Sequence, residues 1–311
     1  MDNLTHSMAG ALLARMGLKT LSGRATATLV IAANIPDIDA FATFLGRESL
    51  AIRRGITHGP IALLLLPLLL TGLMLLYNRW RPAEQPVRAG PLLLCAYIGT
   101  LSHPALDWMN SYGIRLLEPF SSRWYAGDTL FIIDIWIWAT LIGCFFWSRR
   151  REKRGDDWRR PAWIGFTAIC GYIFANGLIT GRAEATATEQ LTSRGVDPQM
   201  VVANPVPALF WKRAMLWRDK VSYGSGDYSV IGGSTLFVRP IQPLRLDHPA
   251  LAAARGRKDV EAFLFWSRMP IVTERDGRAF LGDQRFNSSL TRDQFVVPLD
   301  TAEQPPVPSA R

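Results

Sequence analysis

The chain has 311 residues, 49% of them hydrophobic, and a formal net charge of +9 from 35 Lys and Arg against 26 Asp and Glu. Its length allows one large or two ordinary domains. Its three cysteines lie inside apolar segments with no CxxC pair, which excludes a disulfide framework and a cysteine zinc site.

The first elements are short. LTHSMAGALLARMGL (4–18) and ATATLVIAANI (25–35) would be roughly 22 and 16 Å long as helices. Both are rich in small residues that allow close helix approach, so they read as a hairpin of partial or tilted spans. The opening MDNLTHS lacks the basic region of a signal peptide. Four longer apolar runs follow, at 56–77, 91–108, 129–147 and 161–180. Each approaches the ~20 residues that cross a bilayer core. Within the second, Pro104 predicts a break near His103.

From residue 181 the character changes. GRAEATATEQLTSRG reads as a helix that leaves the membrane and ends near Gly195. Strand-like pieces follow at 209–224 and 227–238, then a helix at 259–269. Two strands, 270–277 and 278–286, are joined by a turn at Asp276-Gly277, and EQPPVPSA forms a Pro-rich tail. The expected architecture is therefore an α-helical integral membrane bundle of about six helices, the first two short, over residues 1–180. A small extracytoplasmic α+β domain over 181–311 completes it.

The charge distribution orients the bundle. Seven Lys and Arg fall in 148–160, three in 78–88, and Arg15, Lys19 and Arg24 flank the first turn. The connections 40–57 and 108–128 carry five. The positive-inside rule puts the basic set in the cytoplasm, which accounts for the net charge without a nucleic-acid partner. Residue 181 onward then falls outside.

Threading the spans in that orientation brings the ionisable residues to one face. His6, Asp37 and Asp39 of NIPDIDAF, His58 of RRGITHGP, His103, Asp107 and Asp128 all lie at outer ends, including three of the four histidines. Each has a plainer explanation. His6 lies in a capping cluster with Thr5 and Ser7; Asp37 and Asp39 suit a turn or N-cap after Pro36; His58 suits the interface; Asp128 suits the N-cap of the 129–147 helix. His103 and Asp107, four apart, share one helix face, which suits either two ligands of one ion or a polar helix end. Asp134, about 9 Å into its segment, needs a partner or a polar cavity there. His248 reads as a surface residue.

Mixed imidazole and carboxylate donors suit Zn²⁺, with Mn²⁺ or Fe²⁺ as alternatives, and the number of candidates leaves room for one or two ions. The absence of cysteine from the set favours a hydrolytic centre over a structural one. Asp37 or Asp39 is then the candidate general base.

The pattern NLTHSMAGALLA, NIPDIDAF, RRGITHGP, LSHPALDWMNSYG and FSSRWYAGDTLFIIDI resembles a bacterial family of membrane-bound predicted metal-dependent hydrolases that includes the LexA-regulated inner-membrane hydrolases. The resemblance covers residues 1–180 and extends more loosely through NPVPALFW and FLFWSRMPIV. It implies a multi-pass protein of the bacterial inner membrane and metal roles for His6, Asp37, Asp39, His58, His103 and Asp107. Asp128 and Asp134 match the later aspartates of the pattern. Gly59 departs from it, since Ser is expected after the histidine. The expected function is metal-dependent hydrolysis of a lipid or lipid-linked (phospho)ester at the outer leaflet. An ion- or proton-coupled transporter and a non-catalytic metal-stabilised scaffold are the alternatives.

Overall fold

A computed structural model describes residues 1–231, 241–287 and 293–300. The N-terminal region is helical: α1 (Asn3–Arg15), α2 (Ala25–Ala32), α3 (Pro60–Trp80), α4 (Ala89–Trp108), α5 (Ile135–Lys153) and α6 (Arg159–Ser193). Among the described residues, three segments are long and apolar enough to cross a membrane, namely Ala25–Ala51, Pro60–Trp80 and Arg159–Ser193. At 1.5 Å per residue α6 is about 52 Å long, well beyond a ~30 Å hydrocarbon core.

Two glycines set the packing beneath the polar cluster. A Cβ on Gly10 of α1 would lie 2.7 Å from the Leu29 carbonyl of α2. A Cβ on Gly99 of α4 would lie 2.7 Å from the Ala32 Cβ and 2.8 Å from that same carbonyl. Helix α2 is therefore clamped between two backbones that only glycine lets so near. His6 and His103 lie one turn beyond these glycines on the same helix faces, so the clamp brings their rings together.

Several expectations change. The helix does not break at His103: α4 continues through Pro104 to Trp108. A proline inside a helix removes one backbone donor, and the well-packed end of α4 tolerates that loss, with His103, Pro104 and Asp107 all buried. The run from 129 is not helical from its start. Helix α5 begins at Ile135, and Asp134 is its N-cap, accepting from the backbone N–H of Trp136 and Ile137 at 3.0 and 3.1 Å. Between α2 and α3 the chain forms a long 3₁₀ segment, Ile35–Ala51, started by Pro36 and kinked at Gly46 (φ 61°), then a single 3₁₀ turn, Ile56–His58.

After α6, β1 (Met200–Pro205), β2 (Lys212–Arg218), β3 (Ser222–Ser229) and β4 (Gln242–Pro243) form an antiparallel sheet in that order. Helices α7 (Pro249–Ala254) and α8 (Lys258–Trp266) precede a second antiparallel sheet of β5 (Pro270–Arg275), β6 (Arg278–Asp283) and β7 (Val296–Pro298). The turn joining β5 to β6 has positive φ at Asp276 (51°) and Gly277 (73°), the geometry that Asp-Gly hairpins adopt. The end of the 227–238 strand-like piece and the Pro-rich tail lie outside the described residues.

The two regions are joined by buried polar contacts. Arg213 of β2 is fully buried and donates to Asn176 Oδ1 (2.9 Å) and Thr180 Oγ1 (3.1 Å) of α6. Leu50 and Tyr112 from the helical region pack into the aromatic core around Phe263 and Trp266. Arg285 donates to the Ser111 carbonyl and pairs with Asp283 at 2.8 Å, both side chains fully buried. Burial alone would raise the Asp283 carboxyl. The Arg285 guanidinium and hydrogen bonds from Ser267 and the Arg285 backbone outweigh burial and hold it below the usual carboxylate range.

A carboxyl held low in the fold stabilises above its unfolded value of about 3.9, and that contribution fades as pH falls through the folded value. Asp283→Asn leaves a buried guanidinium without its counter-charge, at a cost of about 3–5 kcal/mol. In thermal unfolding of detergent-solubilised protein, the variant should melt well below wild type at pH 7. The gap should narrow below about pH 4, where the unfolded chain takes up the proton, and close as pH falls through the lower folded value. Equal melting at pH 7 would remove the pair from any role in joining the regions.

Candidate metal centre

The centre is assembled from four parts of the chain. His6 comes from the second turn of α1, Asp37 and Asp39 from the start of the 3₁₀ segment, His58 from the turn before α3, and His103 and Asp107 from the last turns of α4. His6, His58, His103 and Asp107 have no exposed surface, while the side chains of Asp37 and Asp39 keep 8% and 5%.

One ligand atom each from Asp37, His58, His103 and Asp107 falls within 4.8 Å of all the others. His58 Nε2 and His103 Nε2 are 3.2 Å apart. Asp107 Oδ2 lies 3.5 Å from His103 Nε2 and 3.7 Å from His58 Nε2, and Asp37 Oδ1 lies 3.6 and 3.9 Å from the same atoms. Four donors each ~2.0–2.1 Å from one tetrahedral ion would be about 3.3 Å apart. The observed spacings sit at or slightly above that edge, so a small inward movement closes the shell.

The outer nitrogens fix which atoms point inward. His103 Nδ1 is 2.7 Å from the Ala33 carbonyl, which can only accept, so Nδ1 carries the proton. Thr57 Oγ1 donates to Asp39 Oδ2 at 2.7 Å and so accepts from His58 Nδ1 at 2.9 Å. With Nδ1 as the donor in both imidazoles, Nε2 is the lone pair of each neutral ring, and both Nε2 atoms face the gap. Two adjacent lone pairs and two carboxylates repel unless a cation lies between them. Asp37 Oδ1 is moreover buried without a hydrogen-bond donor among the described residues, while Asp107 Oδ2 meets only the Arg54 Nε, at 3.0 Å. The donor set fits a divalent metal.

The other candidates have different surroundings. His6 stacks on His103 (centroids 3.8 Å) and reaches Asp107 Oδ1 at 3.2 Å, on the side of that carboxylate away from the gap. Asp39 stands behind His58, engaged by Thr57 and by the Arg54 backbone N–H at 2.7 Å. Asp128 is paired with Arg268 at 3.0 Å, and Asp134 caps α5 and accepts from the Tyr172 hydroxyl at 2.9 Å. His248 caps α7 and meets Glu274 at 3.0 Å. Gly59 has a steric reason for departing from Ser, since a Cβ there would run into the Glu118 carbonyl.

Arg54 was counted in the sequence only as a loop charge. It is 4% exposed, with its guanidinium on Asp107 and over the Tyr112 ring (4.8 Å to the centroid). The signal for it was weak: a basic residue four before a candidate histidine, in a loop with other arginines.

The family model for the YdjM inner membrane protein matches residues 1–183. The chain belongs to that family. The match takes in every residue of the cluster and stops before β1. No curated protein and no solved structure matches the chain.

The Asp39–Thr57–His58 relay carries a specific expectation. Thr57→Val keeps the side-chain shape and removes the hydroxyl that orients His58. Metal affinity should fall by about 10–100-fold, the usual effect of losing a group that aims a ligand. Competition titration with a chelating dye measures this, and wild-type affinity would mean that His58 needs no such support.

Proposed function

We propose that this YdjM-family protein is a membrane-bound, metal-dependent hydrolase of a lipid or lipid-linked (phospho)ester. The observation that carries the reading is the convergence of His58 Nε2, His103 Nε2, Asp37 Oδ1 and Asp107 Oδ2 on one gap, with both imidazoles oriented from behind. These four would hold one divalent ion, Zn²⁺ by donor type, with Mn²⁺ or Fe²⁺ as alternatives. Such an ion supplies a Lewis acid that polarises a phosphoryl or carbonyl oxygen and makes water more acidic.

Asp37 is the least enclosed side chain of the cluster, at 8% exposure, so it is the carboxylate placed to take a proton from an attacking water. Asp39 stands behind His58, its Oδ2 engaged by Thr57 and Arg54, and lies outside the four atoms that converge. The apolar surroundings favour a substrate delivered from the lipid phase. A second reading, a metal-stabilised scaffold, draws on the complete burial of His6, His58, His103 and Asp107. The two differ in whether the ion keeps a position open to water.

His103→Ala and Asp107→Asn each remove a donor, so bound metal in purified protein should fall by more than the 10–100-fold typical of losing a supporting group. Metal-dependent release of phosphate or headgroup from phospholipids and generic phosphoesters should vanish with it. His248→Ala should leave metal content unchanged. Full metal occupancy in both site variants would end the hydrolase reading. Metal binding without turnover of any substrate in that panel would favour the scaffold.

The orientation is part of the proposal: the cluster and the C-terminal domain on the periplasmic side, the basic connections in the cytoplasm. Arg15 and Lys19 both engage Glu152 at the end of α1 opposite His6, which keeps the basic set together. A C-terminal alkaline phosphatase fusion should be active in cells. An inactive phosphatase with a fluorescent cytoplasmic reporter at the same junction would reverse the topology.

A further inference from the structure

The carboxylates of the centre outnumber the cations the chain places against them. Asp37, Asp39 and Asp107 bring three negative charges into a space where both imidazoles turn Nε2 inward, and an imidazole that ligates a metal is neutral. Arg54 is the one guanidinium among them. Its Nε lies 3.0 Å from Asp107 Oδ2 and its Nη2 3.2 Å from Asp107 Oδ1. Its Nη1 donates to Asn110 Oδ1 at 3.0 Å and to the Gly113 carbonyl at 3.3 Å, so the planar group cannot swing away. Its backbone N–H also holds Asp39. One residue thus fixes two of the three carboxylates, one through its side chain and one through its main chain.

Three carboxylates against one guanidinium leave a deficit of two positive charges, which a single divalent ion fills. A second divalent ion would leave two positive charges in excess inside an apolar bundle, where uncompensated charge costs several kcal/mol. The Met1 amino group also touches Asp107 Oδ1; counted as a cation it leaves a deficit of one, still met by a single divalent ion, and enlarges the excess a second would bring. Geometry adds to the charge argument. In two-metal centres the ions sit ~3.5–4 Å apart, and a carboxylate between them uses both oxygens. The outer oxygen of Asp107 is already enclosed by Arg54 Nη2 and His6 Nε2, each at 3.2 Å.

We infer that Arg54 is the built-in second cation of this centre: it limits the site to one divalent ion and positions Asp107 toward it. The inference rests on the metal reading above. Arg54 is a positioning residue, acting on the ion through Asp107.

Mn²⁺ titration of purified full-length protein, read by metal analysis and by electron paramagnetic resonance, tests the count without relying on turnover. Wild type should saturate at one Mn²⁺ per chain with the six-line signal of an isolated ion. Arg54→Lys keeps the charge and loses the two-pronged grip, so it should still bind one ion, about 10-fold more weakly. Arg54→Met removes the charge and should admit a second ion, with an exchange-coupled spectrum at high Mn²⁺. Two ions in wild type, or one ion at most in a folded Arg54→Met at saturating Mn²⁺, would overturn the inference while leaving the metal site standing. If Arg54→Met does not fold, the wild-type count and the Arg54→Lys affinity decide. No ion bound to wild type would instead remove the metal reading itself.

Discussion

The helical region is organised around one costly act, the burial of three carboxylates and three imidazoles at the end of an apolar bundle. Each carboxylate placed there needs a cation or several donors, because an unpaired charge in a low-dielectric interior is far more expensive than the fold can support. The neighbouring structure answers that requirement piece by piece. Arg54 takes Asp107, Thr57 and the Arg54 backbone take Asp39, and Ala33 orients His103. Asp37 Oδ1 has no such donor among the described residues, and it shares one gap with Asp107 Oδ2 and the two Nε2 atoms, the surroundings that suit a cation.

Much of the centre was legible in the sequence because its candidate ligands sit where hydrophobic runs end. His103 and Asp107 share a helix face by spacing alone, and alternating spans bring His58 and Asp37 to the same end. Asp128 and Asp134 matched the same description and are held elsewhere. Asp128 meets Arg268, 140 residues away in the chain, and no local pattern announces such a partner. Asp134 caps α5, the role that the apolar run from 129 suggests for Asp128. That exchange follows from where the helix begins: hydropathy marks 129–134 as apolar, but helix α5 starts at Ile135. Arg54 was invisible for the converse reason. In a membrane protein a loop arginine is read as a topological marker, and nothing in the sequence says that it turns inward.

The fold shows the same division between local and distant causes. Helices α3 and α6 follow from apolar runs, α8 from its periodicity, and the β5–β6 hairpin from Asp276-Gly277. The 3₁₀ segment Ile35–Ala51 does not, since its conformation depends on packing against α8 and on the kink at Gly46. No element is read from the sequence at Met200–Pro205; it becomes a strand because β2 is there to pair with it across Val202 and Leu216.

The domain after α6 is tied to the centre by more than coverage. Arg54 lies over the Tyr112 ring, and that ring packs against Trp266 at 5.1 Å and Trp124 at 6.2 Å. Tyr112 therefore has the guanidinium on one side and the aromatic core of the C-terminal domain around it. A guanidinium held by a π face, two carbonyl-type acceptors and a carboxylate has little freedom, and the rigidity passes to Asp107. The region matched by the family ends at residue 183, yet the group that fixes one of its ligands is buttressed by residues beyond 250. In this chain the precision of the centre depends on a domain that contributes no donor to it.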